Sequence, residues 1–118
     1  MEELRAAILR AFPELCLDDI VIQTTSVGGE DLILSRAARR VFPFSVEGKN
    51  QERLNIWSAI EQCENNAKGH PPAVVFRRNR TEAWAAINLR SLINLLQRVQ
   101  GQQGQQEQPK DKGKYKDD

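Results

Sequence analysis

The chain has 118 residues, and its 17 lysines and arginines against 16 aspartates and glutamates leave a formal net charge of +1. That length suits one small domain, and so even a balance excludes a histone-like or arm-type nucleic-acid binder while leaving room for a local basic face. Apolar residues form 40% of the chain and thin out at one end, where residues 101–118 hold one aromatic, Tyr115, and no aliphatic side chain, too little to offset the entropy of ordering them. The expected organisation is a folded domain over 1–100 and a disordered polar tail over 101–118.

Residues 2–12 read as a helix, with Leu4, Ile8 and Ala11 at helical spacing and Pro13 as the stop. The β-branched run 20–25 predicts a strand, Ser26-Val27-Gly28-Gly29 a turn, and residues 31–35 a second short strand. Residues 37–41 connect as a turn or helical turn, and 42–49 read as a third strand with Pro43 at its mouth, where a ladder donor can be spared. The clearest helix is 52–67, where Ile56, Ile60, Cys63 and Ala67 form a stripe that Leu54 and Trp57 broaden. Ala73-Val74-Val75-Phe76 predicts a buried strand, pairing with 82–87 across an arginine-rich turn. Leu89, Leu92, Ile93, Leu96 and Val99 complete an amphipathic final helix. The order α-β-β-β-α-β-β-α implies an α/β (α+β) fold with a central mixed sheet flanked by helices. The connection between the third and fourth strands is long enough to make that pair parallel.

No run approaches the ~20 apolar residues of a membrane span, and no charged segment precedes an apolar one as in a secretory signal. Cys16 and Cys63 form no CxxC and have only His70 as a companion, too few ligands for structural zinc; two buried thiols of a cytoplasmic protein are the expectation. His70, alone in a loop before two prolines, reads as a solvated side chain. Trp57 reads as a core residue and Trp84 as core or interface.

One stretch stands apart, Phe44-Ser45-Val46-Glu47-Gly48-Lys49. Residues two apart on a strand share a face, so Glu47 and Lys49 stand side by side opposite Phe44 and Val46. A carboxylate and an ammonium inside a helix-covered sheet carry a desolvation cost. The plain alternative is a solvent-facing pair on an edge strand, contributing roughly 0–1 kcal/mol. If the preceding strand pairs with this one, the Asp31 carboxylate converges with Glu47. Two convergent carboxylates suit Mg²⁺, which takes oxygen ligands and keeps several waters. A neighbouring lysine can then polarise a water or neutralise charge on a phosphate, a device for phosphodiester hydrolysis.

Asp31 followed by Glu47-Gly48-Lys49 on the next strand resembles the PD-(D/E)XK nuclease superfamily, of restriction-endonuclease-like fold. The wider segment, 29–35 and 42–57 with Ala59, Gln62 and the strand and turn 74–80, resembles small phage and bacterial endonucleases and Holliday-junction-resolvase-like members. The resemblance spans most of residues 10–97. It implies a metal-dependent DNA endonuclease of the bacterial or phage-infected cytoplasm, acting in recombination or repair. Asp31, Glu47 and the Gly48 carbonyl would bind Mg²⁺, with Mn²⁺ as substitute; Lys49 would assist the attacking water and Gln62 would support it. The superfamily often adds a first-helix glutamate, for which Glu2 and Glu3 are the candidates, and Glu30 stands where the motif name has proline. Arg36, Arg39 and Arg40 before the motif strand, with Asn50 and the turn residues Arg77, Arg78 and Arg80, are the expected DNA contacts; a solvated hairpin tip is the bland account of the turn. A homodimer follows from the small size, since duplex or junction cleavage needs two sites, with the last helix or Trp84 at the interface. A nuclease-fold protein that binds DNA without cutting, or a recombination-complex subunit, is the alternative.

Overall fold

The apolar runs pair as strands in two separate places, a two-stranded ribbon and a three-stranded sheet. The computed structural model describes residues 1–23 and 30–104. Two compact units divide the chain. The first, Met1–Asn88, carries α1 (Glu2–Ala11), a 3₁₀ turn (Leu17–Asp19), β1 (Ile20–Ile22), β2 (Leu32–Leu34), α2 (Arg36–Val41), β3 (Ser45–Asn50), α3 (Ile56–Asn66), β4 (Pro72–Arg77) and β5 (Trp84–Ile87). The described part of the second is one helix, α4 (Leu89–Gly104).

β3, β4 and β5 form a mixed sheet in that order, β3 parallel to β4 and β4 antiparallel to β5. The parallel pair follows from α3, a crossover that carries the chain back to the start of the next strand. Its register sets Glu47 opposite Val74 and Lys49 opposite Phe76. β1 and β2 make a separate antiparallel ribbon. The fold is a mixed α/β arrangement with a central sheet flanked by helices.

α3 packs on the sheet through Ala59 and Cys63, which meet Val74 in a buried cluster edged by Leu54, Ile56, Ile60, Phe76 and Ala86. The Cys63 thiol donates to the carbonyls of Ser45 and Ala73 at 3.5 and 3.6 Å, so α3 lies against both β3 and β4. Alternation along β3 gives Ser45, Glu47 and Lys49 to this face and Gly48 to the other. On that other face Met1, at the start of α1, covers Gly48 so closely that a Cβ there would lie 2.5 Å from the methionine methyl.

Several boundaries differ from the sequence reading. The third strand starts at Ser45 because Phe42 is spent closing α2, its amide donating to the Ala38 carbonyl at 2.8 Å. The main helix starts at Ile56, where the Asn55 side chain accepts from the Ser58 amide at 3.1 Å and caps it. The 37–41 connection is a true helix, α2, N-capped by Ser35. Trp57 is not a core residue: it is 77% exposed, about 200° around the helix from the buried Ala59. Cys16 is exposed, and only Cys63 is a buried thiol. Residues 101–104 continue α4 instead of opening the tail. The expected strand end at Thr24-Thr25, the turn at 26–29 and the rest of the tail, from residue 105, lie outside the described residues.

Candidate active site

The inner edge of β3 bonds to β4; among the described residues, its outer edge is met by Asp31. Asp31, just ahead of β2, donates its amide to the Val46 carbonyl at 2.9 Å, and its Oδ2 accepts the Gly48 amide at 2.7 Å. The expected pairing of the second and third strands is thus reduced to a single residue: β2 ladders with β1, and Asp31 reaches across to β3. The amide and carbonyl of one strand residue share an edge, so Gly48 turns its carbonyl toward the side Asp31 occupies.

Glu47 is 6% exposed beneath α3. Its Oε1 accepts from Asn66 Nδ2 at 3.3 Å, and its Oε2 lies 3.8 Å from Lys49 Nζ. Burial, and after it the negative charge of Asp31, push the Glu47 carboxyl above its ordinary range, while Asn66 and Lys49 pull the other way. Lys49 is oriented by Gln62, whose Oε1 accepts from Nζ at 2.8 Å. Asn66 was missed in the sequence reading. Its signal was its place four residues after Gln62, on the same helical face.

Asp31, Glu47, Lys49 and Gln62 therefore gather along one stretch of β3. The first-helix glutamates do not join them. Glu3 pairs with Arg77 at 2.6 Å, and with Glu2 it borders a cleft of about 600 Å³ whose walls include Gly48, Lys49 and Asn50. Among the described residues no group of three or more His, Cys, Asp or Glu side chains is placed to hold a metal ion. Two carboxylates and a backbone carbonyl remain. That all-oxygen donor set fits a hard cation that keeps most of its water.

The basic residues divide into held and open. Arg39 pairs with Glu30 at 3.3 Å and donates to the Phe44 carbonyl at 2.9 Å; Arg36 and Arg40 flank it on α2. Arg78 and Arg80 are exposed in the turn between β4 and β5. Thr81 fastens that turn by bonding the Arg78 backbone through its hydroxyl, and Glu52 by accepting the Asn79 amide at 2.7 Å. Arg80 takes a left-handed backbone, φ 66°. Asn50 is exposed at the end of β3, near Arg77 across the ladder. Comparison of the chain with protein-family models, curated proteins and solved structures gave no match.

Proposed function

We propose that the chain is a divalent-cation-dependent DNA endonuclease with a restriction-endonuclease-like core. The observation that carries this reading is the buried Glu47 carboxylate, set between Lys49 and Asn66 one residue from the amide that Asp31 binds. Asp31, Glu47 and the Gly48 carbonyl would hold Mg²⁺ or Mn²⁺. When bound, the cation supplies Lewis-acid activation of water and screening of the phosphate charge. Lys49 places its ammonium where it can orient the attacking water or offset charge building on the phosphate oxygens. Gln62 fixes that ammonium through its 2.8 Å hydrogen bond. Water adds to phosphorus, one P–O ester bond breaks, and the products are a phosphomonoester and a hydroxyl. Arg36, Arg40, Arg78 and Arg80, with Asn50, would meet the DNA backbone, for which the arginine fork is suited. Two copies of so small a unit would act as a homodimer.

The test is cleavage of a panel of DNA substrates (duplex, junction, flap, single strand) with Mg²⁺, Mn²⁺ or EDTA. Cleavage that needs the cation and disappears in Lys49→Ala and Asp31→Ala supports the reading; variants that cleave like the parent sink it. A second reading, DNA binding without cutting, has its own observation: Asp31 Oδ2 is already engaged by Gly48, and no third carboxylate joins the pair among the described residues. Isothermal titration that finds no Mg²⁺ or Mn²⁺ binding in the millimolar range, together with salt-dependent DNA affinity, selects it.

A further inference from the structure

Arg39 reaches inward from α2. Its side chain is 19% exposed and that of its partner Glu30 9%, against 42% and 57% for Arg77 and Glu3. The contact is a fork: Nη1 lies 3.3 Å from Glu30 Oε2 and Nη2 3.5 Å from Oε1, and Nη1 also donates to the Phe44 carbonyl at 2.9 Å. One guanidinium thus joins three parts of the chain: α2, the residue before Asp31, and the residue before β3. α2 is itself anchored, because the Ser35 amide donates to the Asp19 carbonyl at 2.8 Å and the Ser35 hydroxyl to Asp19 Oδ1 at 2.6 Å.

Asp31 sits where these parts meet. Its amide bonds to Val46 on β3, its carbonyl accepts the Gln23 amide at 2.8 Å, and its Oδ2 accepts the Gly48 amide. Those bonds hold only while the chain enters Asp31 alongside β3. Residue 30 sets that entry, and the arginine fork sets residue 30. A carboxylate as buried as Glu30 needs its answering charge, and without it would turn to water and draw the entry outward. We propose that Arg39 is a positioning residue: through Glu30 and Phe44 it seats the Asp31 carboxylate on the outer edge of β3, and it is not a DNA contact. The seating itself requires no cation; that the seat serves one rests on the nuclease reading.

Amide hydrogen exchange, read by NMR on the full chain in EDTA, tests the seating. The Asp31 and Gly48 amides report the seat. The Ser45 and Gln51 amides report the sheet, since they bond to the Pro71 and Arg77 carbonyls at 2.8 and 3.1 Å at the two ends of β3. Arg39→Met keeps the aliphatic stem and removes the fork. Exchange about tenfold faster at Asp31 and Gly48, with Ser45 and Gln51 changed much less, supports the proposal. Arg39→Lys keeps the charge but not the fork; it should fall between, and it decides the matter if Arg39→Met does not fold. Equal acceleration at all four amides is general destabilisation and overturns the proposal, as does no acceleration at all. Arg39→Met should also bind a DNA duplex in EDTA like the parent; weaker binding with Gly48 still protected makes Arg39 a DNA contact and overturns it. Glu30→Gln with Arg39→Met removes the fork and leaves no unpaired charge, and in calorimetric titration this double variant should bind Mn²⁺ about tenfold more weakly than the parent. Parent-like Mn²⁺ affinity overturns the link to the cation. A parent that binds no Mn²⁺ sinks the nuclease reading, and the exchange pattern still decides the role of Arg39.

Discussion

Asp31 and Gly48 are joined as though by one rung of a ladder: the aspartate carboxylate accepts the glycine amide at 2.7 Å on the outer edge of β3. An unpaired amide on that edge would cost more than the bond itself contributes. Asp31→Ala should therefore destabilise the domain by about 1–3 kcal/mol in chemical denaturation. Asp31→Asn keeps an acceptor oxygen and should lose much less stability, while losing the charge that a cation needs. Equal losses in the two variants would show that the Gly48 bond matters little.

Glu47 should make stability fall as pH rises. Its carboxyl is shifted up in the folded chain, so its contribution is fully present below the ordinary glutamate value and is lost as pH climbs through the raised folded one. Glu47→Gln should melt above the parent at neutral pH, with the gap closing in acid. Added Mg²⁺ should raise the melting temperature of the parent and leave that of Glu47→Gln unchanged. Thermal scans across pH, with and without the cation, check both.

Ser35 works in two directions at the start of α2. Its hydroxyl accepts from the Ala38 amide at 3.1 Å and donates to Asp19 Oδ1 at 2.6 Å. That bond, with the Cys16 amide behind it, holds the Asp19 carboxyl below its ordinary value. Ser35→Ala should cost about 1 kcal/mol as a lost cap. The contribution of Asp19 is present above the unfolded carboxyl value and is lost as pH falls through the depressed folded one. The variant should accordingly show a shallower loss of stability on acidification than the parent.

The two thiols should react very differently. Burial pushes Cys63 up to about 11, and its sulfur faces the carbonyls of Ser45 and Ala73, whereas Cys16 is exposed. At mildly alkaline pH the native chain should give one fast equivalent with a thiol reagent, at Cys16, and the denatured chain two. Fast labelling of Cys63 in the native state would contradict its placement under α3.

α4 carries Leu89, Leu92, Leu96 and Val99 at the three-four-three spacing of a helix–helix seam, each more than a third exposed. If the proposed dimer forms through it, Leu92→Asp with Leu96→Asp should convert dimer to monomer in sedimentation. A mass that does not change with these substitutions removes α4 from the interface.

Much of the arrangement was readable in the residues themselves. The stripe of α3 located Cys63 and Ile60 beside the sheet, the length of the crossover made β3 and β4 parallel, and alternation put Glu47 and Lys49 on one face. What escaped was carried by small or polar groups. Ala59 holds the helix close to Val74, yet alanine is a faint hydrophobic signal beside Trp57, which was read inward and points out. The bond between Asp31 and the Gly48 backbone has no signature in sequence, because any strand residue offers an amide. Pairing of Arg39 with Glu30 and of Arg77 with Glu3 joins residues that local charge counting leaves apart.

β4 has unlike neighbours, and the two pairings close loops of very different length. Its partnership with β5 closes over a short turn, a local step of microseconds. Its partnership with β3 closes across the whole of α3, with a larger entropy cost. Asp31 in turn takes both of its bonds to β3 from the edge of that strand. The charged cluster thus depends on the long closure through α3, whereas the β4–β5 hairpin depends only on its short turn.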